Sequence, residues 1–212
     1  MRFVDSPTER TTAATDVLLA LAALGGIAYL RSRPHPVPAD TLAWSWAFAL
    51  LAVSAALGAI YHGLALAGSH RRALWQALTF CLALAIALVA AGVARDLLGA
   101  GAAARALPVL LAAGAAVFAV SRFFPGLFIV FILYQAVVLL GALAAYGTLA
   151  VTGPNGGPAW VAVGVAIALA GAAVQTRRRC RIRVVWEFDH NGVFHLLQTS
   201  GLVVMWVGLG MR

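Results

Sequence analysis

Three histidines carry the residue types and spacing that chemistry requires. His190 and His195 lie in the run Phe188 to Gln198, which opens the last apolar segment, and His62 lies near the end of the second. Ionisable groups at a membrane boundary are expensive unless they pair, face a cavity or hold a metal, so these positions are functional candidates by default. Three neutral imidazoles plus a water form a catalytic zinc set, in which the metal lowers the pKa of the water to about 7. Asp189 or Glu187 is the nearby carboxylate able to accept a proton. Ser54 and Tyr61 are the donors available to a developing oxyanion.

Helical phase decides which of these groups share a face. At about 100° per residue, His195 lies with Asn191 and Gln198, whereas His190 points about 140° away from it. His190 therefore joins His195 only from the first turn of the helix, where Asp189 or Asn191 serves as N-cap and Gly192 gives the backbone freedom. Asn191 and Gln198 then orient ligands or substrate.

The elements that must hold these groups are transmembrane helices. Hydrophobic residues make up 63% of the 212-residue chain, charged residues 10%, and the mean hydropathy is +0.93, values outside the range of soluble domains. The expected fold is an all-α polytopic bundle of seven membrane helices forming one domain over residues 1–212. Its spans are placed at 13–30, 42–67, 73–93, 106–120, 127–151, 160–174 and 193–210. Pro34, Pro36 and Pro38, the polar turn Ser69 to Arg72, and the Gly- and Pro-rich stretch 153–158 supply the breaks. The fourth span is the shortest, and a start before Arg105, with that side chain snorkelling, is its alternative. Six spans is the main rival count.

Arginine placement orients the bundle. With seven spans, Arg2, Arg10, Arg71, Arg72, Arg122, Arg177, Arg178, Arg179, Arg181 and Arg183 share the side of the N-terminus, and Arg31, Arg33, Arg95, Arg105 and Arg212 lie opposite. Lys and Arg in short loops are retained in the cytoplasm, which predicts the N-terminus inside and the C-terminus outside, in a bacterial-type plasma membrane. The formal charge of +8 thus speaks of membrane orientation and anionic lipid rather than of nucleic acid. Asp5, Glu9 and Asp16 before the first apolar run argue against a cleaved signal peptide. Cys81 in a span and Cys180 in a loop are expected as free thiols. Abundant Ala and Gly predict close helix packing, with Gly58 and His62, and Gly164 and Ala168, as contact faces. Asp16 and Asp96 are placed at span edges, which leaves no acid in the middle of a span.

Topology then brings distant residues together. The second span runs inward, and His62, about 7.5 Å from its end, lies in the inner leaflet. The seventh span starts inside, so His190 and His195 share that depth.

These motifs resemble the CREST superfamily of seven-span membrane hydrolases, which unites alkaline ceramidases with progestin and adiponectin receptors. Tyr61-His62-Gly63 is similar to its second-span element, and Asp189 to Gln198 to its seventh-span His-x-x-x-His. The resemblance implies a zinc held by His62, His190 and His195, with Asp189 and Ser54 catalytic and Asn191, Gln198, Tyr61 and Gln76 in support. Zinc hydroxide would attack an amide or ester of a lipid entering between helices. Gly58 stands where that superfamily has a Ser, Asn191 where it has the first His of the pair, and the start of the third span offers His70, Gln76 and Thr79 in place of an Asp. Two other classes remain open: a non-enzymatic receptor-like or lipid-binding bundle, and a redox protein with a haem between His62 and His195.

Overall fold

The computed structural model describes residues 2–33, 41–177, 179–183 and 185–211. Seven helices follow in order: α1 (Pro7–Ser32), α2 (Leu42–Gly63), α3 (Gly68–Leu98), α4 (Ala100–Phe123), α5 (Phe128–Thr152), α6 (Gly157–Arg177) and α7 (His190–Leu209). All seven are long and apolar enough to cross a bilayer. The chain is an all-α membrane bundle. Two short strands, β1 (Ile182–Arg183) and β2 (Glu187–Phe188), pair antiparallel between α6 and α7.

The helix starts that differ most from the hydropathy reading, those of α1 and α4, do so for local reasons. The apolar run begins at Ala13, yet α1 begins at Pro7, because Ser6 accepts a hydrogen bond from the Glu9 amide and Pro7 sits in the first turn, where its missing N–H costs nothing. Asp16 consequently lies about 14 Å along the helix, not at its edge. Between α3 and α4 the chain reverses at Gly99 alone, whose φ of 88° suits a residue without Cβ. This tight turn lets α4 start at Ala100 and carry Pro108 inside it.

The helices close into a ring. α1 sits between α2 and α7, α7 packs on α6, α6 on α5, and α5 on α3 and α4. The core joins Leu19 and Ala23 of α1 to Trp44 and Phe48 of α2, Tyr146 of α5, Val161 and Val165 of α6, and Leu202 and Met205 of α7. α4 is peripheral, with only Ala103 and Gly114 buried among its residues. The α6 and α7 backbones touch: a Cβ built on Gly164 would lie 2.5 Å from the Gly201 carbonyl oxygen. Gln198 Nε2 adds a hydrogen bond across that seam to Ala168 O at 3.0 Å. Cys81 and Cys180 are free thiols.

At the end of the bundle away from the histidines, Asp96 of α3 accepts hydrogen bonds from Trp44 Nε1 of α2 at 3.2 Å and from the Tyr146 hydroxyl of α5. Both aromatic side chains are fully buried. Asp96→Leu removes the acceptor that two buried donors share, and a buried donor left unsatisfied costs about 1–3 kcal/mol, whereas Asp96→Asn keeps an acceptor. Thermal unfolding in detergent is expected to fall clearly for the leucine variant and only slightly for the asparagine one.

Candidate functional site

A polar stripe on α1 organises the site. Glu9, Thr12 and Asp16, spaced by three and four residues, fall on one face and meet the end of α2 and the start of α7. His62 of α2 places Nδ1 2.7 Å from Glu9 Oε2. His195 of α7 has Nδ1 3.3 Å from Thr15 Oγ1 and 3.4 Å from Asp16 Oδ1. The Thr15 hydroxyl donates to Thr12 O at 2.8 Å, so toward His195 it is an acceptor. The proton of a neutral His195 is thereby assigned to Nδ1, and Nε2 is its basic nitrogen. The Glu9 carboxylate assigns the Nδ1 proton of His62 in the same way.

The two imidazoles face each other edge to face, with ring centroids 6.5 Å apart and an interplanar angle of 68°. Two histidine–carboxylate pairs thus meet at the junction of α1, α2 and α7. Asp16 is 3% exposed, and its Oδ2 has no hydrogen-bond partner among the described residues. The carboxylate fits because position 58 is glycine: a Cβ there would come within 2.9 Å of both Asp16 oxygens. Gly58, four residues before His62, is therefore the space that an α1 acid fills.

The remaining candidates are distributed around this junction. Asp189 caps α7, accepting from the amides of Asn191 at 2.9 Å and Gly192 at 3.0 Å, and also accepts from Thr12 Oγ1 at 3.3 Å. His190 lies with Asp189, its Nδ1 4.0 Å from Oδ2, and makes no ring contact with His62 or His195. Asn191 contributes its backbone amide to the cap, and Gln198 bonds α6 as described. Ser54 Oγ donates to Leu78 O of α3 at 3.0 Å, a helix-to-helix tie. Tyr61 stacks edge-on against His62, with the Arg71 guanidinium 4.2 Å above its ring. Gln76 is partly buried on α3 and has no hydrogen bond to the described residues.

Glu9, Thr15 and Asp16 are the participants that the sequence reading did not include. Their signal was the spacing of Glu9, Thr12 and Asp16 on one face, hidden because the apolar window began at Ala13.

Zinc does not fit the donors as they stand. Among the described residues, no three His, Cys, Asp or Glu side chains group to hold a metal ion. Imidazoles sharing one tetrahedral zinc, with Zn–N near 2.0–2.1 Å, have ring centroids about 5 Å apart. His62 and His195 are farther apart than this, and His190 has Asp189 as its neighbour.

A family model described as a family of unknown function, DUF6962, matches residues 11–211. The chain belongs to that family. No curated protein and no solved structure matches it. The DUF6962 match takes in Asp16, Gly58, His62 and His195, and begins two residues after Glu9.

Proposed function

We propose that this DUF6962 chain is a membrane enzyme that cleaves an ester or amide bond of a lipid at one bilayer face, by general acid–base chemistry of two histidines. The approach of His62 to His195, each with a carboxylate of α1 beside its Nδ1, carries the reading. An acid that accepts from Nδ1–H fixes the ring and stabilises the imidazolium formed when Nε2 takes a proton. His195, beside buried Asp16, is the base: its Nε2 takes a proton from water as the water oxygen bonds to the lipid carbonyl carbon. His62, beside Glu9, is the acid: its imidazolium gives a proton to the leaving nitrogen or oxygen as that bond breaks. Glu9 is 37% exposed, which connects the pair to water for the return of both rings to their starting states.

Arginines at positions 2, 10, 71, 72, 122, 177, 179, 181 and 183 lie on the site's side of the bundle, which favours a cytoplasmic N-terminus and an inner-leaflet substrate. The CREST resemblance points to the same bond types. The mechanism inferred here differs in using no metal. Full-length protein in nanodiscs is to be assayed with a fluorescent ceramide and a fluorescent phosphatidylcholine, each scored by chromatography of the released acyl chain. Turnover of one of them, lost in Asp16→Asn, is expected; no release from either overturns the reading. Dialysis against a chelator is expected to leave the rate unchanged. A rate lost on chelation and restored by zinc would instead favour the three-histidine metal centre.

One observation favours a second reading. Side-chain exposure falls from 37% at Glu9 to 16% at His62, 11% at His195 and 5% at Asp16, a graded chain of titratable groups leading inward. Such chains serve as proton relays. Proton flux into dye-loaded proteoliposomes that Asp16→Asn abolishes, without lipid turnover, would support it.

A further inference from the structure

We propose that the hairpin between α6 and α7 is a binding surface for anionic phospholipid headgroups. It joins the end of one spanning helix to the start of the next, so it lies at the bilayer boundary. At its turn Val185 is 79% and Trp186 67% exposed. Tryptophan is the side chain that prefers the headgroup layer, since its ring is apolar and its N–H is polar. Around these apolar groups, Arg177, Arg179, Arg181 and Arg183 are all exposed.

Of the neighbouring acids, one offsets a single arginine of the four and the other is turned to α7. Glu187 pairs with Arg181, Oε1 to Nε at 2.5 Å, and Asp189 caps α7. The surface presented outward is therefore cationic with an apolar tip, complementary to a phosphate layer over acyl chains. It is also preformed. β1 and β2 pair in register, Ile182 with Phe188 and Arg183 with Glu187, and the Thr11 hydroxyl of α1 donates to Glu187 O at 2.7 Å. The occupant is a lipid phosphate whose neighbouring chains receive Trp186, and this holds whether or not the histidine pair is catalytic.

The test places the full chain in nanodiscs of phosphatidylcholine with brominated acyl chains, with or without about one-third phosphatidylglycerol. Quenching of Trp186 is read as the difference between wild type and Trp186→Phe. Quenching is expected to rise about twofold or more with the anionic lipid, and to fall back at high salt as the headgroup charge is screened. It is also expected to lose its lipid dependence when Arg177, Arg179, Arg181 and Arg183 are all replaced by Gln. Equal quenching of Trp186 in both lipids at low salt, read by that same difference, overturns the proposal without reference to the arginine variant.

Discussion

His195→Gln is expected to slow lipid cleavage by about 10²–10⁴-fold, the range that a positioned acid or base contributes. The amide retains a polar group beside Asp16 and Thr15, so the junction of α1 and α7 is not left with an unpaired acid, but it supplies no basic nitrogen. His190→Ala is expected to leave the rate within about threefold, because His190 lies beside Asp189 and, among the described residues, makes no ring contact with the pair. Initial rates of acyl release, normalised to folded protein by circular dichroism, check both. Equal losses from the two substitutions would reject the pairwise mechanism and restore a three-histidine centre.

The contrast between these histidines illustrates what the sequence could carry. Seven apolar runs with polar breaks are a one-dimensional signal, and the alternation of crossings then forces the end of α2 and the start of α7 onto the same face. The nearness of His62 and His195 follows from that topology. The α1 contribution does not, because hydropathy leaves Glu9 outside the span and Asp16 at its edge, whereas Ser6 and Pro7 start the helix earlier. Once the helix is extended to Pro7, the spacing of Glu9, Thr12 and Asp16 places three polar groups on a face that only a polar neighbour could cover.

Other positions depended on tertiary contacts that no local pattern encodes. Ser54 is two helical turns before His62 and reads as a donor to the site, yet its hydroxyl bonds the α3 backbone at Leu78. Gln198 shares the His195 face only nominally, since its amide reaches α6. Between helices in the hydrocarbon layer, such a group takes the nearest backbone carbonyl, and which carbonyl is nearest depends on helix rotation. Gly58 is the converse case. A missing side chain before His62 looks like a lost hydroxyl in the sequence, but it is the opening that admits the Asp16 carboxylate.

The rotation of α7, on which His195 depends, is set at its seam with α6, and there the largest stability effect is expected. Gly164→Leu puts a Cβ within 2.5 Å of Gly201 O and 2.7 Å of Met205 N. Both obstacles are backbone, so no rotamer change relieves the clash and the helices must separate. Overpacking a core typically costs about 1–3 kcal/mol, and this contact belongs at or above the top of that range. Separation would also remove the close approach of small residues that holds helices together in lipid. His195 lies about 9 Å along α7 from Gly201, so catalysis is expected to fall with stability. Gly141→Leu and Gly147→Leu in α5 are the matched controls, since nothing lies within 4 Å of a Cβ at either position. Removing a glycine from a helix interior there is expected to leave unfolding unchanged or raise its temperature slightly. A thermal scan in detergent, followed by circular dichroism, separates the two outcomes. A Gly164→Leu protein as stable as the controls would mean that α6 and α7 do not meet at this seam, and with it would go the helix rotation that turns His195 toward His62.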